Sequence, residues 1–301
     1  MIVTELYNGQ GLGNQLWCYA VSRTIALDNG FEFSVKSPEK FKAKHFMNID
    51  FGNTVVGGFG PEGGPPHQLP EGISNYYKEC LVRNSQGIDV SKFDEKLLNV
   101  PDNTKIDGGM QSEKYIEHRR SEIVEWFKPN TTILNYSSDN ICLIHFRGGD
   151  YKFAGSTLLP FAYYKTAMNK MLEMNPNMKF CVVTDDLRLA TDYFGNQAHF
   201  VGSCLSNSRD INQADFHIGG DLSVDYSILN NAKNMILSNS SFSWWSAWTN
   251  TNVKNVIAPK YWAAYNFSNG FWSCGDALTK GWLWLDRFEN LFTYNECKEF
   301  L

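Results

Sequence analysis

The sequence predicts an α/β protein made of two Rossmann-like domains facing each other across a cleft. Three observations carry this. The chain opens on a β-rich run, a glycine-spaced turn and an apolar helical period in direct succession; its second half alternates short apolar runs with helical segments; and polar, chemistry-bearing residues recur where those runs end. Strands separated by helices of this length require right-handed crossovers, which lay the strands parallel and cover both faces of the sheet. A length of 301 residues leaves room for two domains of ordinary size.

Residues 2–8 read as a short strand that runs into Gly9-Gln-Gly11-Leu-Gly13-Asn14-Gln15. Behind that loop Leu16, Tyr19, Ala20, Arg23, Ile25, Ala26 and Leu27 keep a largely apolar helical period until Asn29-Gly30, a pair that ends helices. Residues 31–36 alternate as a second strand. From 37 to about 105 no period is legible, and 57–66 are too rich in glycine and proline for regular structure, so that stretch is placed as surface loop. A helical period returns over 112–128, with Ser112 as cap and Pro129 as stop, and the polar residues 130–140 read as a linker. Strands are then expected at 141–147, 179–184, 198–201, 234–237 and 256–258, with helices at 160–174, 187–194, 222–232 and 241–249. The domains are accordingly placed at 1–135 and 136–301, with the chain end free to pack back on the first.

Composition excludes several classes. Lys and Arg number 27 against 32 Asp and Glu, a formal charge of −5, where a dedicated nucleic-acid binder would present a net basic domain. At 43% hydrophobic and 20% charged residues, extended disorder is excluded. No run approaches the length of a membrane-spanning helix, and the first residues carry no basic segment followed by an apolar core, so the chain reads as cytoplasmic. Any membrane association is expected to be peripheral, at the inner face. The seven cysteines (18, 80, 142, 181, 204, 274 and 297) form no CxxC pair and have no histidine at zinc-ligand spacing. Cys142 and Cys181 are expected as reduced, buried small hydrophobes.

In an open parallel sheet, ligands bind beyond the carboxyl ends of the strands, where loops lead into helix amino termini whose free N–H groups point outward. The ends in this sequence are the glycine loop, Arg147-Gly148-Gly149-Asp150, Thr184-Asp185-Asp186, and Ser238-Asn239-Ser240-Ser241-Phe242-Ser243. Each has an ordinary structural explanation, as turn, ion pair or helix cap. Together they suit a nucleotide diphosphate: Arg147 offers a planar, permanently charged fork, and a helix beginning near Ser240 offers amides and hydroxyls to the same anion. Strand alternation puts His145 on the same face as Arg147. The glycine loop is not the dinucleotide fingerprint, since Asn14 stands at its third glycine and residues 33–36 supply no acidic partner for a ribose; a nicotinamide oxidoreductase is disfavoured.

Gly11-Leu-Gly-Asn-Gln15, Gln111-Ser-Glu-Lys-Tyr115, His145-Phe-Arg-Gly-Gly-Asp150 and Asn239-Ser-Ser-Phe-Ser-Trp-Trp-Ser-Ala-Trp248, followed by Val256-Ile-Ala-Pro-Lys260, together resemble the α-1,2-fucosyltransferases. The motifs stand in matching order over nearly the whole chain. The resemblance, which extends to α-1,6- and protein O-fucosyltransferases, implies a GT-B type enzyme with an acceptor-side first domain and a GDP-sugar-binding second domain. It implies inverting, metal-independent transfer of L-fucose from GDP-β-L-fucose to a galactoside, at O-2 of a terminal β-galactose, in surface glycan synthesis. Donor and oligosaccharide or glycolipid acceptor are then the partners, with no cofactor besides the donor.

The resemblance also implies roles. Arg147 is the diphosphate ligand; Gly11, Gly13, Asn14 and Gln15 approach the donor from the first domain; His145 and Asp225 read guanine; Ser240 and Ser241 contact the β-phosphate. Asp186 organises the site without binding metal, while Asp185 is the more ordinary member of the pair. The motif in these families is His-x-Arg-Arg-Gly-Asp, and Gly148 replaces its second arginine, which touches both the support around Arg147 and the identity of the sugar. Stabilising charge that builds on the leaving β-phosphate is the main catalytic requirement, and Asp150 is the best candidate for the base. Trp244, Trp245 and Trp248 recur at helical spacing and are expected to pack their helix; among Trp262, Trp272, Trp282 and Trp284, one is available to stack on an acceptor sugar. Transfer of another GDP-deoxysugar, or a catalytically silent carbohydrate-binding protein on the same fold, stay open as alternatives.

Overall fold

The computed structural model describes residues 1–56, 69–83, 89–195, 197–201, 221–273 and 278–298. The glycine- and proline-rich stretch 57–66, Cys204 and Cys274 lie outside them. The chain divides into a first unit over Met1–Lys128 and a second over Pro129–Ser273 that continues from Leu278. The division falls at the proline stop, a few residues before the boundary expected at 135.

In the first unit β1 (Ile2–Glu5), β2 (Phe33–Lys36), β3 (Asn75–Lys78) and β6 (Thr104–Asp107) form one sheet in the order β2-β1-β6-β3, every pair parallel. A small antiparallel pair, β4 (Val82–Arg83) and β5 (Asp89–Val90), stands apart from it. Helix α1 (Leu12–Asp28) lies against β1 and β2 and is buried on nearly every side through Leu16, Tyr19, Val21 and Ile25. It begins earlier than expected, so that Gly13, Asn14 and Gln15 form its first turn rather than a loop. A short α2 (Glu95–Leu98) precedes β6. The continuous helix expected over 112–128 is instead two 3-10 turns, Glu113–Tyr115 and Glu117–Arg119, followed by α3 (Arg120–Trp126). Tertiary ties interrupt the period: the Tyr115 hydroxyl accepts from the Asp94 amide at 2.6 Å, and Arg119 is held by Asp28 at 2.6 Å.

The second unit is a seven-stranded sheet in the order β13-β12-β11-β10-β7-β8-β9. Its strands are β7 (Ile141–Phe146), β8 (Lys179–Thr184), β9 (His199–Phe200), β10 (Asn234–Ile236), β11 (Asn255–Pro259), β12 (Leu283–Leu285) and β13 (Leu291–Phe292). All neighbours are parallel except the edge pair β12–β13. Between them run α4 (Phe161–Met174), α5 (Leu187–Phe194), α6 (Leu222–Leu229) and α7 (Ser241–Trp248). Cys142, Ile144, Phe146, Tyr163, Tyr164, Val182 and Phe194 build the core on one side of β7 and β8, with Ile144, Phe146, Val182 and Phe194 each contributing about 1.5–3 kcal/mol by burial. The described end of the chain, α8 (Tyr294–Lys298), packs on β12 within the second unit.

Candidate active site

The strand order gives the second unit a switch point. β7 is followed in space by β8 and β9 on one side, and by β10, β11 and β12 on the other, so the order reverses between β7 and β10. A crevice opens at such a switch point beyond the carboxyl ends of the two strands, because their connections leave in opposite directions. The loops placed there are Arg147 to Asp150 and Ser238 to Ser240. Two hydrogen bonds tie them: His145 Nδ1 and Ser238 Oγ share one at 2.7 Å, and the Tyr151 hydroxyl donates to the Asn239 carbonyl at 3.2 Å.

Arg147 is gripped by two carboxylates. Nη1 pairs with Asp185 Oδ2 at 2.6 Å and Nη2 with Asp150 Oδ1 at 2.8 Å, while the guanidinium lies over the Tyr151 ring. The side chain is 35% exposed, yet its Nε is buried with no hydrogen-bond partner among the described residues. Such a donor is costly to leave unmatched unless something accepts from it. Asp185 is the centre of this arrangement: its Oδ1 accepts from the amides of Gly148 at 2.9 Å and Gly149 at 3.3 Å. Burial pushes its carboxyl above the ordinary range, opposed by Arg147 and by those two amides.

Both of the adjacent aspartates are engaged. Asp186 caps α5, its Oδ1 accepting from the Leu189 amide at 3.0 Å, and its Oδ2 takes Lys152 Nζ at 2.8 Å. Asp185, expected as the ordinary member, holds the arginine. Gly148 follows from the same packing. A Cβ there would sit 2.7 Å from the Asp186 Cβ and 3.0 Å from the Phe146 ring, and one at Gly149 would sit 2.5 Å from Asp185 Oδ2. The loop lies directly on the Asp185–Asp186 turn, and a side chain at 148 has no room. Tyr151, Lys152 and Ser238 complete the surroundings; Tyr151 and Lys152, one and two residues past the Arg147–Asp150 motif, carry no signal of their own in the sequence.

His145 is buried at the end of β7, and desolvation, followed by the charge of Arg147, lowers its pKa to about 3. It is neutral at pH 7, a hydrogen-bonding group rather than a charge. Ser240 is the N-cap of α7, and its side chain makes no capping bond. Ser241 opens the helix. Asp225 lies buried in the first turn of α6, beside Tyr226, whose ring packs on Phe242; the His145 ring packs on Phe242 as well.

In the first unit the order reverses between β1 and β6. Gly11 is the N-cap of α1 with an extended backbone and no side chain to cap it. Neither its φ of −67° nor any atom within 4 Å of an added Cβ requires glycine there. Gly13 is buried in the first turn. Asn14 Oδ1 accepts from Gln111 Nε2 at 3.0 Å, so two of the quoted motifs meet, and the turn carrying Gln111 is fixed by Glu79 Oε2, which accepts from the Gly109 and Met110 amides. Gln15 is fully buried, donating to the Lys40 carbonyl and accepting from the Lys42 amide, both at 2.9 Å. Both ends of its amide are occupied by that turn, and the side chain is a structural tie rather than a surface for a ligand.

Trp244, Trp245 and Trp248 are buried as expected for helix packing, with Trp244 and Trp248 stacked at 5.5 Å. Trp262, Trp272, Trp282 and Trp284 are buried too, and this corrects the expectation that one of them faces a sugar: Trp282 reaches Trp244, and Trp272 and Trp282 both reach Trp284. Cys18, Cys80, Cys142, Cys181 and Cys297 are free thiols. Among the described residues no group of three or more His, Cys, Asp or Glu is placed to hold a metal ion, and no helix is long and apolar enough to cross a membrane.

The two units are α/β domains built on parallel sheets, and comparison with known families places the chain among the glycosyltransferases. Residues 115–286 match the model of Glycosyl transferase family 11, and the chain belongs to that family. It is similar to the O-antigen biosynthesis glycosyltransferase WbnK of Escherichia coli, 26% identical over 297 residues that cover 85% of this chain and 93% of the relative. It is also similar to an alpha-1,2-colitosyltransferase of Escherichia coli, 26% identical over 285 residues, covering 88% and 93%. Among solved structures it is similar to the NodZ alpha-1,6-fucosyltransferase soaked with GDP-fucose, at 14% identity and a TM-score of 0.44, covering 86% of this chain and 94% of that one. A glycosyl transferase family 9 structure from Veillonella parvula gives 11% identity and a TM-score of 0.44, covering 96% and 86%.

Proposed function

We propose that the protein transfers a deoxyhexose, L-fucose or its relative colitose, from a GDP donor to a hydroxyl of a galactoside, with inversion, in the synthesis of a surface glycan. The observation that carries this is Arg147: a doubly anchored guanidinium with an unmatched buried Nε, on the loop tied to the one that leads into α7. The quoted motifs support L-fucose at O-2 of a terminal β-galactose. The alpha-1,2-colitosyltransferase relative supports colitose by its name, and that donor is the second reading.

In this mechanism the acceptor oxygen attacks the anomeric carbon as the bond to the β-phosphate oxygen breaks on the opposite face. GDP leaves with the bonding pair, so negative charge grows on the β-phosphate while the sugar takes oxocarbenium character. Arg147, with Ser240 and Ser241 at the amino end of α7, meets that charge. The donors are in place beforehand, so no reorganisation is needed as the charge develops. Asp150, 70% exposed with Oδ1 held by Arg147, takes the acceptor proton. Neutral His145 and buried Asp225 are assigned to guanine, a carboxylate being a natural acceptor for its N1–H and N2–H groups. Asp186 organises the turn, and Gly11, Gly13 and Asn14 are further donor contacts; Gln15 is left to the turn it holds.

The test is calorimetric titration of GDP into the wild type and Arg147→Ala, with turnover of GDP-fucose, GDP-colitose and GDP-mannose on a β-galactoside. Removing one such donor costs on the order of 3 kcal/mol, or 10² to 10³ in rate. Arg147→Ala should lose at least that while still melting cooperatively. Wild-type turnover in that variant would remove Arg147 from the chemistry, and glycan binding without GDP binding would turn the protein into a carbohydrate-binding one.

A further inference from the structure

The carboxyl edge of the first unit's sheet carries a cluster that the donor chemistry does not use. Lys36 on β2, Glu5 on β1, and Lys105 and Asp107 on β6 lie side by side across three parallel strands. Glu5 bridges Lys36 at 3.1 Å and Lys105 at 2.6 Å, and Lys105 reaches Asp107 at 3.0 Å. Two lysines against two carboxylates leave the row neutral. The Lys105 side chain is only 3% exposed, and a charge buried that deeply is retained only where its partners are complete. Despite burial, the two lysines hold the Glu5 carboxyl below its ordinary range.

Above this row stand two tyrosines. The Tyr7 hydroxyl donates to Asp107 Oδ1 and the Tyr76 hydroxyl to Asp107 Oδ2, each at 2.9 Å, and Lys105 Nζ donates to the Tyr7 oxygen at 3.2 Å. Both rings also lie within 6 Å of the Lys105 ammonium. Burial and the two carboxylates raise both phenols far above their usual range, so they stay protonated and uncharged. The hydroxyls are fixed, but the rings are not covered: Tyr7 is 41% and Tyr76 37% exposed. Every tryptophan of the second half that sequence alone offers for stacking is buried, whereas these two rings are open.

We propose that Tyr7 and Tyr76, pinned by their hydroxyls to the one carboxylate of Asp107, form a stacking platform for a neutral sugar ring of the glycan acceptor. This rests on reading the chain as a transferase to a glycan. Rings whose orientation is already set lose little freedom on binding, and their faces match the C–H face of a pyranose. A neutral support selects an uncharged ligand, because a phosphate or carboxylate would find no unpaired cation in the row. The place agrees with the topology: Tyr7 follows β1 and Asp107 ends β6, the strands between which the order reverses.

Ligand-observed saturation-transfer NMR on the full chain, with a panel of neutral di- and trisaccharides including lactose, tests this without any donor. At least one saccharide should receive saturation from the wild type; the signal should fall fivefold or more in Tyr7→Ala and in Tyr76→Ala and persist in Tyr76→Phe, which keeps the ring. GDP titration into the same proteins reports on folding and on the donor site separately. The proposal is overturned if no neutral saccharide binds the wild type, or if both alanine variants bind saccharide as the wild type does while still binding GDP. Loss of GDP binding in the wild type, with saccharide binding still dependent on the two tyrosines, would overturn the donor assignment and leave the platform.

Discussion

Arg147 is positioned before any ligand arrives, and the residue that does most of this is Asp185. One of its oxygens takes the guanidinium and the other takes the Gly148 and Gly149 amides, so a single buried carboxylate sets both the arginine and its loop. Asp185→Asn keeps an acceptor for the amides but loses the charge that orients Arg147. Displacements of about 1 Å at a reacting centre cost on the order of 10² in rate, and we expect a loss of that size, read as kcat with a GDP-sugar. His145 supplies a pH prediction. Its folded pKa is depressed to about 3 by burial and by Arg147, below the ordinary value of 6.5. Between those values the unfolded chain binds a proton that the folded chain refuses, so this contribution to stability is whole above pH 6.5 and declines as pH falls toward 3. Melting temperatures of the wild type and His145→Asn over pH 4–7 should show the acid side flattened in the variant.

At the scale of the element, the β7 loop is legible only in part. Its arginine and aspartate could be found because strand ends carry ligands, but the role of Gly148 depends on which turn lies beneath it. With Asp186 Cβ 2.7 Å from where a Cβ would go, Gly148→Ala must displace the loop or the α5 cap, and a forced fit of this kind costs typically about 1–3 kcal/mol. The expected result is a lower melting temperature and a fall in turnover with GDP affinity weakened; a variant with wild-type stability and rate would show that the loop has slack. The same dependence on context explains the helix expected over 112–128. Its apolar period is real, but Tyr115 and Arg119 are drawn to Asp94 and Asp28, and the backbone breaks into turns to let them. Strand β6 was illegible because Lys105, a charged residue in its middle, is an interior one whose charge is satisfied by Glu5, far along the chain, and by Asp107 beside it.

For the molecule as a whole, two parallel-sheet units were legible from the alternation of apolar runs and helices, and the strand ends from the polar residues there. The order of strands was not, since β10 returns to the far side of β7 through pairings that no local pattern encodes. That order is what opens a crevice at one edge of each sheet, and it bears on how much of the molecule a donor engages. GDP at 100 times its Kd adds about 2.7 kcal/mol to whatever binds it. Gly11→Ala measures whether the first unit shares in this. In the free chain the substitution meets no atom within 4 Å and an ordinary φ, and its small gain from a stiffer unfolded chain opposes a small loss of N-cap preference, so stability should stay within about 1 kcal/mol of wild type. If a phosphate or sugar approaches the first turn of α1, the added methyl stands in its way. We expect a melting temperature close to wild type without ligand and a GDP- or GDP-fucose-induced rise that is reduced by at least half. An undiminished rise in Gly11→Ala, together with its loss in Arg147→Ala, would confine the donor to the second unit and free the α1 turn of any part in binding it.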